Sequence, residues 1–326
     1  MTLSACGLHG LLNVDRWVPL VFFGRWIKWS DPTVVSHAAL GLYTKTLIDI
    51  FSILACLLGF PPGAEASRRL RPIEEKYGDP TLMRFLIARS MDTDNASKMF
   101  VKWLKWRSSL VPNGFVADSE VPDQLEARKI FLQDLSKAGH PVLIVQACKH
   151  YPPEDHLQFK KFVVYLLDKT IASAIRGREV GNEKLIGILD FQNITYKNVD
   201  ARGLITGFQF LQADFPERLA KCYVLNMPRF FVSVWRMVSS FIEKATLEKI
   251  LIVTNEDEKK TFVEEIGEEA VPVEYCGKAN LRAAQDVQVP SLEGWLMILR
   301  PPKFAGHQVF ALTRNSFEYF DVIENS

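Results

Sequence analysis

From about residue 121 onward, short apolar runs alternate with longer segments in which apolar residues recur at helical spacing. The short runs predict buried strands, which are Pro141–Ala147, Leu185–Phe191, Lys221–Met227 and Lys249–Thr254. The longer segments predict helices, which are His156–Ala174, Ala201–Asp214 and Glu256–Ile266. Glu126–Leu135 agrees with a helix or with a strand. Strands that alternate with helices indicate an α/β class with a mostly parallel sheet.

A strongly apolar segment between the last two strands predicts one helix over Phe230–Lys244, which Pro228 precedes. Its apolar positions are Phe230, Phe231, Val234, Trp235, Met237, Val238, Phe241 and Ile242. Its polar edge is thin and consists of Ser233, Arg236, Ser240 and Glu243. A helix this apolar must be buried or must cover something apolar. The sequence agrees equally with a core helix and with a cover over a bound lipid.

The first 66 residues differ from the rest and end before a helical pattern that resumes near Ser67. Within them, Thr46–Phe60 is nearly continuous apolar sequence, but it contains Asp49 and falls short of the roughly 20 residues that a membrane-spanning helix needs. Asp15 and Arg16 interrupt any early apolar core and disfavour a signal peptide. An organellar leader, a membrane-contacting segment and a packed extension all stay open.

A small helical unit is predicted over residues 67–114, where Asp92 or Asp94 is a candidate helix cap. Apolar residues recur on one face of its last helix, and lysines occupy another. These lysines are Lys98, Lys102 and Lys105. They agree with a solvated helix face or with contact to acidic lipid head groups.

Composition narrows the class of function. The chain has 39 basic and 38 acidic residues, a balance that argues against a broad nucleic-acid surface. Apolar residues make up 48% of the sequence and support a large core. The five cysteines are widely spaced and odd in number, which indicates a reduced, intracellular protein.

The motifs that α/β enzymes use are missing from the sequence. It contains no dinucleotide-binding glycine pattern, no Walker loop and no nucleophile elbow. His150 and His156 have poor metal-ligand spacing, and we expect both to be histidines of a surface loop. Asp190, at the end of a predicted strand, stands where a different fold could place a catalytic carboxylate.

Three motifs resemble those of the Sec14-like (CRAL-TRIO) lipid-transfer proteins, in the family's order and spacing over about residues 68–277. Phe215–Pro228 reads Phe-Pro-Glu-Arg-Leu-x-Lys-x-Tyr-x-Leu-Asn-x-Pro, the core signature of that family. Leu82–Arg89 resembles its Leu-x-Arg-Phe-Leu-Arg-Ala-Arg motif. Val271–Gly277 resembles its Leu-Pro-x-Glu-Tyr-Gly-Gly ending, with Cys276 in place of the first glycine.

The resemblance implies an α/β CRAL-TRIO lipid-binding fold, a mostly parallel sheet with helices around a hydrophobic pocket, preceded by a small all-helical domain. It divides the chain into an extension (1–66), a helical domain (67–114), a lipid-binding domain (120–277) and an unassigned tail (278–326). Gly294–Leu299 and Gln308–Thr313 are candidate strands in that tail.

The resemblance also implies site residues, and it implies a structural role for Asp190, which matches an aspartate of the family. The head group of phosphatidylinositol would contact Arg89, Glu217, Thr246 and Lys249, although Ser90 replaces the second residue of the family's basic pair. The gate over the pocket would be formed by Phe230, Phe231, Val234, Trp235, Val238, Phe241 and Ile242. Each head-group residue also has a structural alternative: Glu217 could pair with Arg218, Lys249 could be an exposed strand start, and Arg89 could be a surface cation.

The function that follows is binding of phosphatidylinositol in a gated apolar pocket and its transfer or presentation between membranes, without catalysis. We expect a phospholipid ligand, peripheral membrane contact and no nucleic-acid partner. We expect no metal, and no cofactor besides the bound phospholipid. The stretch Leu185–Leu189 lacks the hydroxyls with which some members hold phosphatidylcholine, so the second lipid stays open. The expected location is the cytoplasm at membrane surfaces, with plastid targeting as an alternative.

Three other functions remain as alternatives. A lipid-sensing scaffold would signal through the ends of the chain without net transfer. A carrier of a small molecule of tocopherol or retinoid type would not need Glu217 and Lys249 together. An α/β enzyme would need a catalytic carboxylate or histidine.

Overall fold

The computed structural model describes residues 49–59, 70, 80–174 and 183–289. Residues 49–57 and 80–88 are helical. The helices that follow are α1 (Thr93–Leu110), α2 (Pro122–Glu126), α3 (His156–Ser173), α4 (Ala201–Ala213), α5 (Val232–Ser239), α6 (Lys244–Leu247) and α7 (Glu256–Ile266). The strands are β1 (Ile130–Leu135), β2 (Pro141–Gln146), β3 (Leu185–Asp190), β4 (Leu219–Leu225) and β5 (Ile250–Val253). The predicted strands Gly294–Leu299 and Gln308–Thr313 lie outside the described residues.

The five strands form one sheet in the order β1-β2-β3-β4-β5. β1 pairs with β2 in antiparallel fashion, and the remaining neighbours are parallel. The α/β class and the mostly parallel sheet are therefore confirmed, and each predicted strand lies within two residues of its observed bounds. The ambiguous segment Glu126–Leu135 divides, because α2 ends at Glu126 and β1 covers its last six residues.

Apolar cores cover both faces of the sheet. Along β2, Leu143 faces the helices α3 and α4, whereas Val142 and Ile144 face the opposite core. This alternation follows from the two-residue period of a strand. The first core includes residues of α3, α4 and α5, and the second contains residues of α7 and the segment after it.

The helix α1 packs its predicted apolar face inward. Asp92 caps it by accepting a hydrogen bond from the backbone amide of Asn95, at 2.9 Å. Phe100 contacts Phe85 of the preceding helical segment, with ring centroids 5.1 Å apart. Within the described ranges, no helix is long and apolar enough to cross a bilayer.

The prediction of one helix over Phe230–Lys244 is wrong in its second half. The helix α5 ends at Ser239, a turn follows, and α6 begins at Lys244. The hydroxyls of Ser239 and Ser240 donate to backbone carbonyls three residues earlier, which offers the chain an alternative to continued helix. Glu243 is extended, and the side-chain oxygen of Gln212 accepts a hydrogen bond from its backbone amide.

The same segment is buried on one side only. Phe231, Trp235, Val238 and Ile242 are buried and recur at helical spacing, so they form the stripe that faces the core. On the other side, Val232, Met237 and Phe241 are 42%, 48% and 53% exposed. The segment therefore covers the core and also presents apolar side chains to solvent.

The turn Val273–Tyr275 explains the glycine of the closing motif and the unusual cysteine before it. A Cβ at Gly277 would lie 1.9 Å from the carbonyl oxygen of Val271, so only glycine is accommodated there. Cys276 has a φ of 69°, in the left-handed region that glycine adopts without a steric penalty.

We expect Cys276→Gly to raise the free energy of unfolding by up to about 1 kcal/mol. The left-handed conformation costs a residue with a Cβ about 1–2 kcal/mol, and the greater freedom of an unfolded glycine offsets part of that gain. Urea denaturation would measure the change. A loss of stability would mean that the exposed Cys276 side chain makes contacts that outweigh its backbone strain.

Candidate functional site: an apolar cavity and two charged clusters

An apolar cavity of about 180 Å³ lies between the sheet and the helices α3 and α4. The sheet contributes mainly β2 and β3, and α4 contributes residues that recur on one of its faces. The apolar lining includes Leu143, Val145, Phe159, Phe162, Val163, Leu166, Leu167, Leu185, Leu189, Leu204, Phe208 and Leu211. Gly207 lies on the same face of α4, and a Cβ placed on it would meet nothing within 4 Å. The cavity is therefore open to an apolar molecule along this helix.

One part of the lining is polar and consists of Lys129, His150 and Asp200, which we call the polar corner. Nζ of Lys129 lies 2.9 Å from Nδ1 of His150, and Nε2 of His150 lies 3.0 Å from a carboxylate oxygen of Asp200. The other carboxylate oxygen of Asp200 accepts a hydrogen bond from the backbone amide of Gly203. Lys129 also donates to Gln124, at 2.7 Å. The corner is thus a connected chain of hydrogen bonds.

The expectation that His150 is a surface loop histidine is wrong, because its side chain is only 13% exposed. His150 follows a short turn after β2, and the amide of Asn198 donates to its carbonyl oxygen at 2.9 Å. This contact holds the loop against the start of α4. His156, in contrast, stands at an exposed helix start, where Arg202 donates to its ring.

Burial and hydrogen bonding change the pKa values of Lys129 and Asp200 in the polar corner. Burial lowers the pKa of Lys129 to about 8, although the nearby charge of Asp200 opposes the change. Burial would raise the pKa of Asp200, but hydrogen bonds from His150 and Gly203 outweigh it and leave that pKa below its ordinary value. At neutral pH the corner therefore contains both a cation and an anion.

A first charged cluster surrounds Glu217, in the turn before β4. Glu217 has a φ of 58°, a left-handed conformation that a residue with a side chain rarely adopts. Its carboxylate oxygens lie 3.4 Å from Nζ of Lys184 and 3.7 Å from Nζ of Lys249. The backbone carbonyl of Thr246 accepts a hydrogen bond from the amide of Lys249. Three of the four predicted head-group residues are therefore brought together.

Arg218 does not pair with Glu217. It forms a buried ion pair with Glu183, with 2.5 Å between nitrogen and oxygen. Lys184, which follows Glu183, faces Glu217 instead. Sequence reasoning missed Lys184, because its contact depends on the parallel pairing of β3 with β4.

The fourth predicted residue, Arg89, lies in a separate depression of about 280 Å³ that Lys98 and Lys102 of α1 also line. Its guanidinium lies 3.9 Å from the carboxylate of Glu243, just before α6. Asp214 closes the depression, and burial raises its pKa to about 7 against the opposing charges of Lys102 and Arg107. This second cluster is mainly basic.

Asp190 has the structural role that we expected. Its carboxylate is buried and accepts hydrogen bonds from the hydroxyl of Tyr275 and the side-chain amide of Asn226, each at 2.9 Å. It therefore joins the end of β3 to the closing motif. Within the part of the chain that the structure describes, no group of three or more His, Cys, Asp or Glu residues could hold a metal ion.

Comparison with known proteins agrees with this architecture. The family model of the CRAL/TRIO domain matches residues 125–277. Residues 125–277, a little under half of the chain, are thus similar to a CRAL-TRIO domain. The chain of a solved structure, the crystal structure of Sfh5, shares its fold with a TM-score of 0.54 at 15% identity, over 81% of this chain and 97% of that one.

The curated proteins that this chain is similar to are distant in sequence. A CRAL-TRIO domain-containing protein of Saccharomyces cerevisiae is 27% identical over 65% of this chain and 75% of its own length. The phosphatidylinositol/phosphatidylcholine transfer protein SFH12 of Arabidopsis thaliana is 28% identical over 63% of this chain. The matched part spans only 40% of SFH12.

The predicted gate residues do not line the cavity, and one of them, Trp235, stands one layer behind it. Trp235 of α5 contacts Phe208, with ring centroids 6.1 Å apart, and Phe208 lines the cavity. Before α5, Phe231 packs on Phe191, and Phe230 packs on Tyr196. The aromatic contacts fix the beginning of the segment, whereas its end at Phe241 is exposed.

Proposed function

We propose that the protein binds phosphatidylinositol, with its acyl chains in the apolar cavity, and transfers or presents it between membranes. The observation that carries this proposal is the apolar cavity between the sheet and the helices α3 and α4. Each methylene removed from water contributes about 0.8 kcal/mol, so only an apolar cavity lets a protein take a lipid out of a membrane. The names of the relatives support lipid transfer as the general activity.

The cluster around Glu217 supports an inositol phosphate as the head group. A carboxylate accepts hydrogen bonds from ring hydroxyls, whereas Lys184 and Lys249 supply cations for a phosphate. The left-handed backbone of Glu217 also favours a binding role, because strained residues concentrate at functional sites. Glu217 would then exchange its lysine contacts for contacts to the lipid.

A cavity of about 180 Å³ is smaller than the pockets of roughly 300 Å³ or more that hold drug-sized ligands, so a two-chain lipid requires it to widen. The segment from Phe230 to Glu243 is suited to that movement. It is anchored at its aromatic start, broken after Ser239 and exposed at Phe241. Outward movement of α5 would remove Trp235 from Phe208 and give the lipid a path to the cavity.

The exposed side of this segment supports peripheral membrane contact. Met237 and Phe241 offer apolar surface, and Arg229, Arg236 and Lys244 are exposed cations along the same segment. Such a combination favours the surface of an anionic membrane. The described cysteines are free thiols, which supports a reduced, cytoplasmic location. The proposed activity needs no covalent chemistry.

The test is native mass spectrometry with lipid extraction on protein purified from a eukaryotic host. We expect Lys249→Ala to retain roughly tenfold less phosphatidylinositol than wild type, because a charge-assisted contact contributes about 1.5–3 kcal/mol. Gly207→Leu should exclude the lipid by filling the cavity, without loss of helix propensity. Lys260→Ala, at an exposed position of α7, is the matched control.

Each outcome separates one part of the proposal from the rest. If Lys249→Ala retains phosphatidylinositol but Gly207→Leu loses it, the head group binds elsewhere on the protein. The assignment of the cavity as the acyl-chain site would then stand. A sterol or isoprenoid in the wild type would favour a carrier of small hydrophobic molecules. A folded wild type that holds no lipid would contradict the proposal and favour a scaffold.

A further inference from the structure

The polar corner contains a buried lysine whose role the proposed head-group site does not explain. Lys129 is 4% exposed, and its ammonium lies against the rings of Phe159 and Phe162. It donates to Gln124 and contacts Nδ1 of His150, which accounts for two of its three hydrogen-bonding positions. Among the described residues, no third partner lies within hydrogen-bond distance of its Nζ. Because Lys129 lines the cavity, a ligand there can supply the missing acceptor.

Charge balance restricts what that acceptor can be. A hydrogen bond between Nζ of Lys129 and Nδ1 of His150 needs one lone pair, so the two groups together carry one positive charge and not two. Asp200 supplies the opposing negative charge through Nε2 of His150. The polar corner is therefore neutral as a unit, and an anionic ligand would add an unpaired charge to an apolar cavity. Burying such a charge is costly, whereas a neutral oxygen brings no such penalty.

We propose that the polar corner binds the neutral oxygen, a hydroxyl or a carbonyl, of a second apolar ligand, and that Lys129 is its hydrogen-bond donor. The proposal deepens the proposed function, because it assumes that the cavity holds lipid and names the chemistry of the second ligand. Carboxylates are disfavoured by the charge of Asp200. Zwitterionic choline lipids are disfavoured because their phosphate would face the same carboxylate and their large head group would enter an almost wholly apolar space.

The test compares probes that share one alkyl chain and differ only at the polar end. Hexadecanol, methyl hexadecanoate and hexadecanoate compete at neutral pH with a lipophilic fluorescent probe bound to delipidated protein. Wild type should bind the alcohol or the ester about tenfold tighter than the carboxylate, and the better of the two identifies the hydroxyl or the carbonyl. Lys129→Met should lose that preference, since methionine keeps the apolar stem and removes the donor.

Two further variants keep the test specific. Lys169→Met removes a lysine that is also buried but contacts Tyr165 and does not line the cavity, so its selectivity should equal that of wild type. Asp200→Asn keeps an oxygen that can accept from Gly203 and removes the negative charge. It should reverse the preference, so that hexadecanoate binds at least as tightly as hexadecanol.

The outcomes distinguish this proposal from the proposed function. Selectivity that depends on Lys129, in a protein that retains no phosphatidylinositol, would support the polar corner and contradict the head-group assignment. Tighter binding of hexadecanoate to wild type would overturn the charge-balance argument. Equal affinities for all probes, unchanged in Lys129→Met and Asp200→Asn, would overturn the polar corner as a ligand site even if phosphatidylinositol is retained.

Discussion

Replacing Glu183 with glutamine is expected to lower the free energy of unfolding by about 3–5 kcal/mol, the range for breaking a buried ion pair. The side chains of Glu183 and Arg218 are 3% and 5% exposed, and Arg218 also donates to the backbone carbonyl of Glu183 at 2.7 Å. Arg84 is half-buried and lies close enough for its charge to interact with both. Loss of the carboxylate would leave the buried guanidinium of Arg218 without its anion.

The charge of Arg84 makes the expected losses of unfolding free energy unequal for the two partners of the buried pair. Arg218→Met should cost less than Glu183→Gln, because Arg84 would still oppose the charge of Glu183. Urea denaturation of both variants measures the difference. Asp134→Asn is the matched control, since it also turns a carboxylate into an amide but in a pair with Arg282 that is largely exposed, where little stability is expected to be lost. Equal costs for Glu183→Gln and Asp134→Asn would contradict the assigned role of the buried pair.

The buried pair also links stability to the proposed head-group site. Glu183 and Arg218 stand next to Lys184 and Glu217, so one pair lies in the core and the neighbouring pair lies at the partly exposed cluster. The buried pair fixes the turn in which Glu217 adopts its left-handed backbone. In this motif the arginine supports the fold, and the glutamate beside it is the residue that we propose contacts the head group.

The sheet and its helices could be predicted from the sequence because both faces of the sheet are buried. Such strands need apolar side chains on both sides, which gives a strong apolar pattern. Runs such as Leu185–Phe191 have few alternatives to a central strand. The break after Ser239 could not be predicted in the same way. It depends on local hydroxyl contacts of Ser239 and Ser240 and on a distant contact between Gln212 and Glu243. An apolar pattern carries no information about such contacts.

The polar corner was missed for a different reason. His150 lies 21 residues from Lys129 and 50 residues from Asp200, so no motif spacing joins them. The carboxylate of Asp200 caps α4, which was the one local signal, and a cap by itself indicates only a helix start. The fold brings the three residues together where β2 ends and α4 begins, and charge pairing across that junction could not be read from the sequence.

The double variant Met237→Ser and Phe241→Ser is expected to weaken binding to anionic vesicles by roughly 10- to 150-fold. Full burial of a methionine or phenylalanine side chain contributes about 1.5–3 kcal/mol. Because about half of each side chain is already covered in the free protein, membrane insertion gains about half of that from each, or roughly 1.5–3 kcal/mol together. Vesicle co-sedimentation measures the partition coefficient of each protein.

Stability and lipid content distinguish a docking surface from a packing surface. Because about half of each side chain is covered in the folded protein, the double variant should lose at most about 1.5–3 kcal/mol of unfolding free energy and should stay folded. Val273→Ser is the matched control, because Val273 is 60% exposed but lies in a turn that packs against the opposite face of the sheet.

A double variant that binds vesicles like wild type would show that the exposed side of α5 is not the membrane contact. A variant that keeps its purified lipid but transfers it slowly would place these side chains in docking and leave the cavity as the binding site, since the two steps use opposite sides of the same segment.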